Sequence, residues 1–126
     1  MLAVDTNVLV RLLVRDDAVQ AAAADAAIAR GAWISQLVLT EAMWVLNAIY
    51  QRTAKQLITS LELLLTHESL VLQDADVVTL ALAQFRAKPA LGFSDCLVLE
   101  IARKAGHLPL ATFDKALSRL SGTQGL

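Results

Sequence analysis

The chain has 126 residues, of which 56% are hydrophobic and 18% charged, with a mean hydropathy of +0.54. So apolar a chain buries ample surface and is not disordered, its length suits one domain spanning residues 1–126, and its longest runs free of Asp, Glu, Lys and Arg, residues 31–40 and 42–51, are too short to span a membrane. Eleven Lys and Arg against 12 Asp and Glu leave a net charge of −1, so no basic excess marks a nucleic-acid surface and any such function must rest on a local site.

Leu2-Ala-Val4 reads as a short buried strand, followed at once by Asp5. A helix is predicted over 6–14, with Leu9, Leu12 and Leu13 on one side. Asp17-Ala-Val-Gln20 has the form of a capping box and opens an Ala-rich helix, with Gly31 as its stop. Residues 32–34 read as a second strand, after which Ser35 caps a helix to about residue 50. Thr53-Ala-Lys-Gln56 is a second capping box, opening a helix to about residue 66. Residues 70–72 read as a third strand, and Asp74 starts a helix that ends ahead of Pro89. A helix follows over 94–105 with Gly106 at its end, then a fourth strand over 108–111 and a short helix over 115–120. Short apolar strands alternating with amphipathic helices imply an α/β layered domain with a parallel sheet buried on both faces. In such sheets ligands gather beyond the carboxyl ends of the strands. The start of the chain has no basic stretch before Asp5, so no secretory signal is expected, and a single cysteine, Cys96, suits a cytoplasmic setting.

Most of the carboxylates have structural explanations. Asp17 and Asp74 serve as N-caps, Asp16 and Asp76 complement helix dipoles, and Glu100 is placed to pair with Lys104 at i,i+4. Four do not fit so easily. Asp5 and Asp114 follow predicted strands. Glu41 shares a helix face with Leu37, Val38, Val45 and Ala48, and Asp95 shares one with Val98, Leu99 and Ala102, so both are expected to face the core. Carboxylates on apolar faces need partners, and two such charges about 4 Å apart repel by about 4 kcal/mol at an effective dielectric of 20. A hard divalent cation relieves several of them at once and supplies positive charge where a phosphate would sit.

The residues Val4-Asp5-Thr6-Asn7, Thr40-Glu41, Ser94-Asp95 and Thr112-Phe113-Asp114, in that order and across nearly the whole chain, resemble those of a PIN-domain ribonuclease, in particular the VapC-type toxins of bacterial toxin–antitoxin pairs. The resemblance implies a three-layer α/β fold with a parallel sheet of four to five short strands flanked by helices. Its fifth strand would lie near the C-terminus, where residues 121–126 carry almost no strand character of their own. It also implies that Asp5, Glu41, Asp95 and Asp114 bind Mg²⁺ or Mn²⁺, and that a metal-activated water attacks an RNA phosphodiester in line. Asp5 and Asp95 would be the closest ligands, with Thr6, Asn7, Ser94, Thr112 and Lys115 orienting carboxylates or touching substrate. A homodimer and a cognate antitoxin protein are the implied partners.

Other residues carry weaker signals. His67 and His107 stand alone in predicted loops, Cys96 has no histidine partner, and Trp33 and Trp44 are better placed for the core than for stacking on bases. Arg11, Arg15, Arg86, Lys88 and Lys115 are candidates for an RNA backbone, with a solvated face as the default. Two other function classes remain open. A Mg-dependent phosphatase or phosphoacceptor also places an Asp at a strand end, but a dehalogenase-like site wants a second Asp where this chain has Asn7. A PIN-like module that binds RNA or protein without cleavage is the other. The excess of Ala and Leu predicts exposed apolar grooves for protein partners.

Overall fold

Four helices start at a residue whose side chain satisfies a backbone N–H of the first turn. Asp5 accepts from Val8 ahead of α1 (Thr6–Val14), Asp17 from Gln20 ahead of α2 (Ala18–Ile28), and Ser35 from Val38 ahead of α3 (Gln36–Ala48). Thr53 and Gln56 bond reciprocally at the head of α4 (Ala54–Thr66), as their spacing predicts. The first N–H groups of a helix lack intrahelical acceptors, so each such cap stabilises by about 1 kcal/mol. α5 (Ala75–Ala87) ends ahead of Pro89, and a 3-10 turn over Pro89–Leu91 leads into α6 (Phe93–Ala105). α6 stops at Gly106, whose φ of 81° suits glycine and lets the N–H groups of Gly106 and His107 donate to Arg103 and Ala102.

The computed structural model describes residues 1–126, which divide into two compact units, Met1–Ala75 and Asp76–Leu126. In the first unit, β1 (Leu2–Ala3), β2 (Ala32–Ile34) and β3 (Leu70–Leu72) form a parallel sheet in that order, with Ala3 opposite Trp33 and Trp33 opposite Val71. α1 packs on α2 and α3, and α4 on α3 and β3. Leu9, Ile34, Leu39, Leu46 and Leu61 are its most deeply buried large side chains. In the second unit, β4 (Leu110–Thr112) and β5 (Thr123–Gly125) form a parallel pair, linked through a 3-10 turn at Leu117–Arg119. Val78, Phe85, Leu97 and Leu99 are buried there, and the rings of Phe85 and Phe93 meet at a centroid distance of 6.2 Å.

The α/β class with parallel strands holds, but the sheet differs from the expected single one: three strands pair in one sheet and two in another. A strand does form at the C-terminus, where the local sequence has little strand character. Leu110 donates to Gly122 at 2.8 Å, Leu126 to Thr112 at 2.9 Å, and the Thr123 hydroxyl to Leu120 at 2.7 Å. The first two bonds join segments more than ten residues apart and override local propensity, and the third fixes the turn before the strand. β4 starts two residues later than predicted, beyond Pro109, which has no N–H to give a ladder. The predicted helix over 115–120 contracts to the 3-10 turn. Nor are the strands buried on both faces: the central residues of β2 and β3, Trp33 and Val71, are exposed between buried neighbours, and both residues of β1 are exposed.

Candidate functional site

In the first unit, the turn after β1 sends three consecutive residues to three tasks. Asp5 Oδ1 accepts from the Val8 N–H at 3.1 Å, which leaves Oδ2 without a partner. Thr6 Oγ1 donates to Glu41 Oε2 at 2.7 Å and so ties α1 to α3. Asn7 makes no side-chain hydrogen bond and lines a cleft of about 300 Å³ between α1 and α2, together with Asp5, Arg11, Gln20, Ala24 and Ala27. The sequence reading missed Gln20 and this cleft, because the gap arises from small alanines facing α1 and no motif marks it.

Glu41 is exposed, which corrects the expectation that it faces the core. The buried stripe of α3 is Leu39, Ala42, Met43 and Leu46, while Leu37 and Trp44, on the Glu41 side, are themselves exposed. Both faces of α3 are apolar, so periodicity alone did not distinguish the inner from the outer. Trp33 and Trp44, expected in the core, are 36% and 66% exposed: Trp44 lies on this outer face of α3, and Trp33 on the outward side of β2 between buried neighbours.

In the second unit, Asp95 lies half-buried in the first turn of α6. Burial pushes its carboxyl above the usual 3.8, and the negative charge of Asp114 adds to the rise. Asp114 is held from two sides: its N–H donates to Thr112 Oγ1 at 3.0 Å, and its Oδ1 accepts from the Leu117 N–H at 2.8 Å. Thr112 therefore orients the acid through the backbone. Ser94 is exposed, as is Lys115, whose ammonium has no carboxylate partner. Phe113, between Thr112 and Asp114, is 83% exposed.

Several other acids, unlike these four, are ion-paired, whereas Asp17 and Glu68 are not. Asp16 pairs with Arg11 at 2.6 Å, Asp25 with Arg15 at 2.7 Å, and Asp76 with Lys104 at 3.2 Å. The arginine lowers the Asp25 carboxyl below its usual range, as Lys104 does that of Asp76. Arg11 and Arg15, candidates for an RNA backbone, are thus engaged by neighbouring acids. Glu100 is the single buried charged residue, and it pairs with Arg103 at 3.0 Å rather than with Lys104 as expected. Asp5, Glu41, Asp95 and Asp114 have no cationic partner. No three His, Cys, Asp or Glu side chains are disposed to hold a metal ion by themselves. Mg²⁺ is commonly held by one or two carboxylates with waters and substrate phosphate. All-oxygen donors that form no ion pair, and a carboxylate whose ionisation is opposed by a second one, fit such an ion chemically.

Cys96 is fully buried and its thiol is pushed up to about 11, chiefly by burial and then by Asp95 and Glu100, which makes it inert packing as expected. His67 Nδ1 accepts from the Ser69 N–H, a turn-forming role. No helix is long and apolar enough to cross a membrane.

A family model described as the PIN domain matches residues 2–122, a span that runs through both units and contains all four acids. Six helices with parallel strands agree with the three-layer α/β fold class of that family. No curated protein matches the chain, and no solved structure does.

Proposed function

Because the chain belongs to the PIN domain family, whose members are generally metal-dependent nucleases, we propose that it is an endoribonuclease of the VapC type, a toxin neutralised by a cognate antitoxin protein. One observation carries this reading: Asp5, Glu41, Asp95 and Asp114, the acids of the four motifs, all stand without cations, while Asp16, Asp25, Asp76 and Glu100 are paired and, of the other unpaired acids, Asp17 is a helix cap and Glu68 lies exposed in a turn. Asp5 and Glu41 in the first unit, and Asp95 and Asp114 in the second, would serve as ligands for Mg²⁺ or Mn²⁺. When bound, the ion supplies an activated water for in-line attack on the phosphodiester and charge to stabilise the leaving oxygen.

The chain's own contribution is to hold the acids in place. The Val8 N–H fixes one oxygen of Asp5, and the Thr6 hydroxyl fixes one oxygen of Glu41, each leaving the second oxygen open. The Leu117 N–H does the same for Asp114, whose backbone N–H is held by Thr112 Oγ1. Such outer bonds set ligand orientation. Asp95 has no such support, and its burial beside the charge of Asp114 disfavours the bare carboxylate, so a cation is stabilising there. Asn7, Ser94 and Lys115 would touch the RNA. Exposed Leu37 and Trp44 supply apolar surface for a second copy of the chain or for the antitoxin.

The test is cleavage of RNA with Mg²⁺ or Mn²⁺ by the wild type and by Asp5→Ala and Asp95→Ala. Cleavage by the wild type alone is expected, and equal cleavage by all three refutes the reading. A second reading, a module that binds RNA or protein without cutting, draws on the apolar Leu37 and Trp44 flanking Glu41 on α3. Metal binding without hydrolysis of any RNA by the wild type would favour it.

A further inference from the structure

Phe113 is the most exposed large apolar side chain of the protein, at 83%. Its backbone is not a loose tip. On one side, the Thr112 carbonyl accepts from the Leu126 N–H at 2.9 Å, and Thr112 belongs to the β4–β5 pair. On the other, the Asp114 N–H is held by Thr112 Oγ1 at 3.0 Å, and the Asp114 carbonyl accepts from the Ser118 N–H at 3.0 Å. Leu117, three residues beyond Asp114, is buried and anchors the turn to the core. The ring is therefore held out to solvent by a pinned corner.

The residues around it differ in chemistry. Asp114 has no cationic partner, and Lys115 presents an ammonium without a carboxylate partner. A π-face, an acid and a free cation thus follow one another along a fixed turn. A single nucleic-acid strand offers unstacked bases and, along its backbone, phosphates that suit a π-face and a cation. An apolar protein contact would instead be ringed by groups that exclude water, whereas the sequence neighbours of Phe113 are a hydroxyl and a charge.

We propose that Phe113 and Lys115 form a nucleotide subsite beside Asp114, in which an unpaired base of the RNA stacks on the Phe113 ring and a backbone phosphate meets the Lys115 ammonium. The subsite takes its strand chemistry from the ribonuclease reading and assigns it two residues. Base–aromatic stacking tolerates any base, since every base has a π-face, so Phe113 contributes affinity and register while the choice of sequence lies elsewhere.

The experiment measures binding of a labelled single-stranded RNA by fluorescence anisotropy in an Asp5→Asn background, which keeps a capping side chain at α1 while removing a proposed metal ligand. Phe113→Ala and Phe113→Leu should each weaken binding by about 5- to 150-fold, and Phe113→Trp should retain it, with the new indole quenched as RNA is added. Lys115→Gln should lower the slope of log affinity against log salt by about 0.7. Phe113→Leu binding as tightly as the parent, an unchanged Phe113→Ala, or no RNA binding at all overturns the subsite. So does a loss of self-association in Phe113→Ala with RNA affinity intact, which would make the ring a protein contact. A Phe113-dependent affinity in a wild type that cuts no RNA refutes the nuclease reading and leaves the subsite standing; RNA cleavage with a KM indifferent to Phe113 does the reverse.

Discussion

Replacing Arg103 by Ala tests how the second unit holds its buried charge. Glu100 is 4% exposed and accepts from Arg103 Nε through both oxygens, at 3.0 and 3.2 Å, while Arg103 Nη2 donates to the Ser121 carbonyl at 2.9 Å. Without the guanidinium, Glu100 keeps its burial and loses its counter-charge. Breaking a buried pair from one side destabilises by about 3–5 kcal/mol. The Arg103 side chain is 36% exposed, so solvent already screens the pair and the lower end applies, about 3 kcal/mol. The Ser121 carbonyl is at the surface and rehydrates at little cost. For a chain of this size the loss corresponds to a fall in Tm of about 10 °C and, with a urea m-value of about 1.5 kcal/mol/M, to a midpoint lower by about 2 M. Replacing both partners by leucine removes the stranded charge and should recover most of the loss. Urea unfolding followed by circular dichroism reads all three proteins. A fall of less than about 1 kcal/mol for Arg103→Ala, or a double variant no better than the single one, refutes the reasoning.

Asp95→Asn should raise the stability of the metal-free protein at neutral pH. The native carboxyl titrates above the usual 3.8, so between that value and the native one the folded state binds more protons than the unfolded, and wild-type stability falls as pH rises through the window. Melts in chelator should show the variant ahead at about pH 7 and level with the wild type at about pH 3; no advantage at the higher pH contradicts the assignment. Thr6→Val removes the hydroxyl that holds Glu41 and should lower RNA cleavage by about 10-fold with folding intact, read as kcat beside a thermal melt. Thr53→Ala should destabilise by about 1 kcal/mol in urea unfolding, through loss of the capping box at α4. Iodoacetamide should leave Cys96 unmodified at about pH 8 in the native protein and label it in denaturant, since its thiol is buried and pushed up to about 11; rapid native labelling detected by mass spectrometry would contradict this.

Helix starts were legible because a cap is a local event: Asp5, Asp17, Ser35 and Thr53 each act on an N–H three residues away. The stop at Gly106 is local for the same reason. Asp5 and Asp114 were legible as candidates because acids just beyond apolar strands are conspicuous in so hydrophobic a chain. Residue order along the chain, which needs no geometry, was enough to suggest the family that the model match over residues 2–122 then established.

Other features depended on what lies across from each residue. Which apolar face of α3 turned inward was decided by packing against α1 and α4, and that put Glu41 at the surface under the Thr6 hydroxyl. Glu100 reads as a solvated helix residue until Arg103 and Ser121 close over it. The weak strand at Thr123–Gly125 exists because β4 offers it a partner. Capping, breaking and charge order act within about one helical turn and were determined by the amino-acid sequence alone. Burial, strand pairing and ion pairing join residues far apart along the chain, and only the folded structure decided them.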